Sequence, residues 1–227
     1  MREQSLGVRL TAAATGALAL LIPAALLGAL VVGNVTWLHR WDAAVTDGLH
    51  GYALGHPGWV WFMKAWSLVF APNSWRLAAF VLVVWLVRRG AAPLAWWVAI
   101  TMTAGGVLGA VLKLLVGRHR PDLLDPVAGA PGYAFPSGHV LNNALGAGVF
   151  LLVLLPCTRG RPGRRALLWA GAIVIPLVTA VSRVALGVHW TSDVVAAWFL
   201  GVAVVAATAA AYLARRPSHV ASEGLRE

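Results

Sequence analysis

Three short stretches of this chain place ionisable and hydroxyl side chains where long apolar runs end. Lys113, Arg118 and Arg120 follow one run; Ser137, Gly138 and His139 open the next; Ser182, Arg183, His189 and Asp193 join the last two. In hydrocarbon a charged side chain costs at least about 2.5 to 3.5 kcal/mol at mid-span, so ionisable residues in such a setting ask for a functional explanation. Lys113, Arg118, Arg120 and Arg183 are cations, and Asp193 is the one acidic residue on the runs themselves. Cations so weakly balanced need a polyanion. The planar fork of arginine suits phosphate oxygens, and lysine acts as a point charge. If a helix continues past Lys113, Arg120 lies on its same face seven residues on. The competing explanation is that Lys113, Arg118 and Arg120 only snorkel to lipid headgroups.

Pro136-Ser137-Gly138-His139 reads as a helix start whose backbone N–H groups and hydroxyl form an anion site. A proline turn with a serine cap explains Pro136 and Ser137 equally well, but leaves His139 without a role. His189 and Asp193 are four apart and share a face if the last helix begins near His189. A carboxylate that takes the Nδ1 proton leaves Nε2 bare as base or nucleophile. The alternative there is an ion pair fastening two helices. Arg118 and His119 are candidates for a second phosphate.

The apolar runs supply the frame. A span takes about 20 predominantly apolar residues at about 1.5 Å rise each. Leu10–Val32 qualifies, and it exceeds the apolar core of a secretory signal, about 7 to 15 residues, so it is read as a retained first span. Asn34–Asn73 interleaves Trp37, Trp41, Trp59, Trp61 and Trp66 with polar groups, a composition suited to the headgroup region. Further spans are predicted over Ser74–Val87, Ala91–Val116, Gly138–Leu155, Ala166–Val184 and Asp193–Leu213. Pro72 either starts the second span or kinks a longer helix reaching back toward Trp59. Gly105, Gly106 and Gly109 let the third span approach its neighbours closely. The expected fold is all-α: a six-span transmembrane helical bundle forming one membrane domain, residues 1–227, with its catalytic core at about 91–213. Short amphipathic helices are expected on the outer face between spans 1 and 2.

Composition agrees with a membrane setting. The chain has 59% hydrophobic and 11% charged residues, against roughly 25% charged in soluble domains. A net charge of +10 would suit nucleic acid only if the basic residues formed a solvated stripe. Here they cluster between apolar runs, at Arg88-Arg89, Arg159 to Arg165 and Arg215-Arg216. No nucleic-acid partner is therefore expected. With six spans these clusters share the face of the N-terminus, which the positive-inside rule makes cytoplasmic. The chemistry-bearing groups fall on the other face, periplasmic or extracellular in the bacterial inner membrane that compact size and short loops indicate. Cys157 is the only cysteine, which excludes an intrachain disulfide and a cysteine-rich metal site.

Taken together the clusters resemble the three-part signature of the type 2 phosphatidic acid phosphatase (lipid phosphate phosphatase) superfamily, in its integral-membrane bacterial branch. Its parts appear in order: Lys113 followed after six residues by Arg120-Pro121; Pro136 to His139; and Ser182-Arg183, then His189 and Asp193. No fixed position departs from the pattern. The resemblance covers about Ala91 to Leu213, and the first 90 residues match in layout only. It implies that His189 is a nucleophile forming a phosphohistidine, that Asp193 orients it, and that His139 protonates the leaving oxygen and later activates water. It gives Lys113, Arg120, Ser137, Gly138 and Arg183 to the phosphoryl oxygens. The implied substrates are membrane lipids: phosphatidate, phosphatidylglycerol phosphate or undecaprenyl diphosphate. In many phosphoryl-transfer enzymes Mg²⁺ supplies charge; here cations can do so, and no metal or other cofactor is expected. Vanadium-dependent haloperoxidases share the anion site but are soluble. A non-catalytic binder or transporter of anionic lipid is the alternative of another class; transport would need polar groups along the spans, and beyond Asn142 and Asn143 the inner halves are nearly bare.

Overall fold

The computed structural model describes residues 2–214, and among them every regular element is a helix. The helices are α1 (Arg2–Val32), α2 (Thr36–Gly55), α3 (Pro57–Val69), α4 (Pro72–Arg88), α5 (Ala92–Val116), α6 (Gly138–Leu154), α7 (Pro162–Ala185) and α8 (Thr191–Ala214). Pro57, Pro72, Pro93 and Pro162 stand at the first or second position of α3, α4, α5 and α7. A helix start has no use for the N–H that proline lacks. Among the described residues six segments are long and apolar enough to cross a membrane, and the chain is a multi-pass membrane protein. Arg215-Arg216, expected to follow the sixth span, lie outside the described residues.

α6 is the centre of the bundle, buried along most of its length and packed against α5, α7 and α8; α1 lies along α8, and α4 along α5. Gly105 and Gly109 permit the α5–α6 approach, because a Cβ on either would overlap Leu145 or Leu141 of α6. Gly106 faces open space and has no such part, which corrects the expectation placed on it.

The second span is longer than Ser74–Val87. α3 and α4 together make a run of 32 residues, interrupted where Pro72 cannot continue α3. The carbonyl freed at Phe70 is taken by Asn143 Nδ2 of α6 at 2.8 Å. Asn143 Oδ1 accepts Thr179 Oγ1 of α7 at 3.1 Å, and Thr179 accepts Trp66 Nε1 of α3 at 3.0 Å. This buried chain of polar groups fastens the break to two neighbouring spans. The surface segment expected over Asn34–Asn73 is realised by α2 alone, a helix of 20 residues. Leu38, Asp42, Thr46, His50 and Ala53 form its buried stripe, which packs against α7 and α8, while Trp37, Trp41 and Tyr52 are exposed.

Candidate active site

The site lies at one end of the bundle, where α5 stops, α6 and α8 start, and α7 ends. Gly117, at φ 60°, closes α5 with its N–H on the Lys113 carbonyl at 3.1 Å, the left-handed stop that glycine adopts without strain. Arg120 is therefore in the loop and not two turns along the helix from Lys113. The two cations converge nonetheless, on the carbonyls of one loop. Lys113 Nζ donates to Tyr133 O at 2.6 Å; Arg120 donates to Gly132 O at 2.8 Å, Pro131 O at 3.0 Å and Tyr133 O at 3.3 Å.

α8 begins at Thr191, so His189 precedes the helix and does not share its face. It sits in a turn that Gly187 makes possible at φ 68°. Asp193 is the third helical residue, and its Oδ2 accepts the Trp190 N–H at 2.9 Å, the reach-back of a capping box. The same oxygen lies 3.5 Å from His189 Nδ1, too long for a hydrogen bond. The expected His–Asp pairing is thus a juxtaposition in this structure. The tautomer is set from the other side, where Arg120 Nη1 stands 3.1 Å from His189 Nε2. Arginine has no acceptor, so Nε2 presents its lone pair and Nδ1 carries the proton. Burial pushes the His189 imidazole down to about 4, against the opposing pull of Asp193, so it is neutral at physiological pH.

Ser137 occupies the N-cap of α6 but caps nothing: its hydroxyl makes no cap hydrogen bond, is fully buried and has no protein partner. Its backbone N–H reaches Asp193 O at 3.2 Å, joining the starts of α6 and α8. The Gly138 Cα faces Lys113, where a Cβ would stand 3.9 Å from Lys113 Cε. Arg183 is buried in the last turn of α7, with Nη1 on Ser67 Oγ at 2.6 Å and Nε unpartnered. His139 bonds to the backbone of Ser67 and lies in electrostatic range of Arg183, His189 and Arg120. Two buried donors without partners beside three cations give this arrangement the means to hold an oxyanion.

Ser182 lies outside this constellation, its hydroxyl bonded to Thr179 O of its own helix at 2.8 Å. Arg118 is a correction. It donates to Asp193 Oδ1 and Asp42 Oδ2, each at 2.7 Å, so both terminal nitrogens are held by carboxylates and it is not a ligand for a second phosphate. The His119 ring is exposed beside Tyr133, and its carbonyl accepts Trp190 Nε1 at 3.0 Å. Ser67 and Asp42 are contacts that the motifs did not reveal. Asp42 carried a signal, as the first of Asp42, Thr46 and His50 at four-residue intervals.

The fold is that of a known membrane enzyme. The crystal structure of a transmembrane PAP2 type phosphatidylglycerolphosphate phosphatase from Bacillus subtilis superposes with a TM-score of 0.73, covering 83% of this chain and 92% of that one at 23% identity. An undecaprenyl-diphosphatase of Sulfolobus acidocaldarius is 36% identical over 102 residues, 42% of this chain and 44% of that protein. Phosphatidylglycerophosphatase B of Bacillus subtilis is 33% identical over 96 residues, 42% of this chain and 47% of that protein. The chain thus matches a little under half the length of these two relatives. The sequence pattern of the PAP2 superfamily matches residues 94–217, a stretch that holds the cation loop, the Ser-Gly-His turn and the His–Asp turn alike, and the chain belongs to that superfamily.

Proposed function

We propose that the protein is a membrane phosphatase hydrolysing a lipid phosphomonoester or diphosphate through a phosphohistidine at His189. The observation that carries this reading is a buried neutral histidine whose unprotonated Nε2 meets Arg120 Nη1 at 3.1 Å, in electrostatic range of Arg183 and His139. Nε2 attacks phosphorus; a P–N bond forms as the P–O bond to the lipid breaks, and the leaving oxygen takes a proton from His139. His139 then draws a proton from water, whose oxygen attacks the phosphohistidine and releases phosphate. Lys113, Arg120, Arg183, Ser137 Oγ and the Gly138 N–H hold the three oxygens on which charge accumulates.

A lipid substrate is supported by an apolar cavity of 390 Å³ between α4, α6 and α7, lined by Phe70, Trp75, Phe150, Leu154, Leu168 and Ile175 among others. Asn143 Nδ2 binds both the Phe70 carbonyl and the His139 carbonyl, at 2.8 Å each, and so links one residue of the cavity's lining to the start of α6. The names of the relatives point to undecaprenyl diphosphate and phosphatidylglycerol phosphate, and phosphatidate shares their chemistry. Arg88-Arg89 and Arg159 to Arg165 lie at the opposite end of the spans, which by the positive-inside rule supports a site on the outer face of a bacterial plasma membrane.

Charge is supplied by side chains. Asp42 and Asp193 are both engaged by Arg118, and among the described residues no three His, Cys, Asp or Glu gather as a metal site. The test is phosphate release by the purified protein in detergent from short-chain phosphatidate, phosphatidylglycerol phosphate and a polyprenyl diphosphate. Wild type is expected to release phosphate from at least one, with and without EDTA, and His189→Ala from none. Silence of the wild type on all three refutes the phosphatase; loss of turnover on chelation refutes the metal-free mechanism.

A further inference from the structure

Asp42 belongs to α2, outside the three clusters, yet it is fully buried and aimed at the turn that carries His189. Its Oδ1 accepts the Ser192 N–H at 2.8 Å, and its Oδ2 accepts the Ser192 hydroxyl and Arg118 Nη2, the latter at 2.7 Å. Arg118 Nη1 reaches both Ser192 Oγ and Asp193 Oδ1, at 2.7 Å each. One guanidinium thus spans two buried carboxylates, and its face covers the Trp190 ring at 5.4 Å. We propose that Asp42, acting through Arg118, is a positioning residue that sets how strongly Asp193 supports His189 in catalysis. The proposal rests on the phosphatase reading above.

Two effects follow from the geometry. The fork fixes Asp193 Oδ1, which turns Oδ2 toward His189 Nδ1 and the Trp190 N–H. It also divides its charge. Two carboxylates against one guanidinium leave one negative charge over, available to the imidazolium character that His189 acquires on attacking phosphorus. Were Arg118 to pair with Asp193 alone, the cluster would be neutral and that support would fade. The balance matters because the other groups around His189 are cations or become so: Arg120 from the loop, Arg183 from α7 and His139 from α6, with Lys113 of α5 in range of Asp193. Among the described residues, Asp193 and Asp42 supply the opposing charge through Arg118, and Asp42 is the one that α2 adds.

The experiment is the pH dependence of kcat/KM for the full chain in detergent, on whichever lipid phosphate it turns over. The wild type is compared with Asp42→Asn, Arg118→Gln and the double variant. The substrate phosphate itself titrates near about pH 6, but it is common to all and drops out of the comparison. Arg118→Gln removes a positive charge beside Asp193, makes His189 more basic and moves the acid limb to higher pH. Asp42→Asn leaves Arg118 wholly to Asp193, makes His189 less basic and moves the limb to lower pH. The limb of the double variant is expected between the two. kcat is expected to fall about tenfold or more in each single variant, the scale typical of partners that orient a functional histidine, with KM little changed, since neither residue touches phosphate. An acid limb unmoved in both single variants, with kcat kept or lost, overturns the inference and leaves Asp42 a structural strut. Should the neutral variants not fold, Arg118→Lys keeps the charge without the fork that spans both carboxylates; a lowered kcat with a displaced acid limb supports the proposal, and a wild-type limb overturns it. A wild type that turns over no lipid phosphate refutes the phosphatase reading instead.

Discussion

Ser137 has the backbone of a helix cap without its hydrogen bond, and that mismatch separates its two roles. A serine that caps contributes about 1 kcal/mol to stability. A buried hydroxyl left free of the protein contributes little to the fold and is free to serve a developing oxyanion, where one donor is worth about 100-fold in kcat. Ser137→Ala is therefore expected to lower kcat by about that factor while leaving thermal unfolding in detergent unchanged within about 0.5 kcal/mol. A large loss of stability with kcat preserved would show that the hydroxyl only caps. Arg183 reads in the same way, buried with Nε unpartnered and one nitrogen on Ser67. Its importance was legible in the sequence, as a cation near a histidine and a carboxylate. Its anchor was not, because Ser67 is one of many polar residues in a tryptophan-rich stretch 116 positions away.

Helix ends decide what the spacings mean. His189 and Asp193 come within 3.5 Å although α8 starts between them; a tight turn and a reach-back cap bring them there in place of the expected shared face, and stop short of a hydrogen bond. Lys113 and Arg120 meet through loop carbonyls because Gly117 stops α5. Local spacing identified members of each cluster because short segments hold them. The partner of Arg118 was illegible because it depends on α2 packing against the start of α8, 150 residues on from Asp42. The break between α3 and α4 is a further case, since proline marks the place but not what satisfies the freed carbonyl. Asn143 does so, and leaving a buried polar group unpaired costs about 1 to 3 kcal/mol. Asn143→Leu strips partners from the Phe70 and His139 carbonyls and the Thr179 hydroxyl. The expected result is a fall in thermal midpoint of roughly 2 to 12 °C, measured in detergent. An unchanged midpoint would mean that the break is held by apolar packing alone.

Across the whole molecule, the arrangement of spans is what turns three sequence clusters into one site. α5 and α7 end, and α6 and α8 begin, at the end of the bundle where Asp42 of α2 meets Arg118. The opposite end carries Arg88-Arg89, Arg159, Arg161, Arg164 and Arg165. An excess of positive charge stays on the cytoplasmic side, so the orientation we propose has phosphate released outside the cell membrane. The single cysteine reports on this placement, because Cys157 is exposed and lies two residues before Arg159 at the basic end. In intact spheroplasts a membrane-impermeant maleimide is expected to leave Cys157 unmodified until the membrane is permeabilised. In a Cys157→Ser background, Asp122→Cys, on the exposed loop at the site end, is expected to react without permeabilisation. The reverse pattern would put the site in the cytoplasm, and would do so without touching the chemistry of His189, since the two ends of the bundle are read out by separate residues.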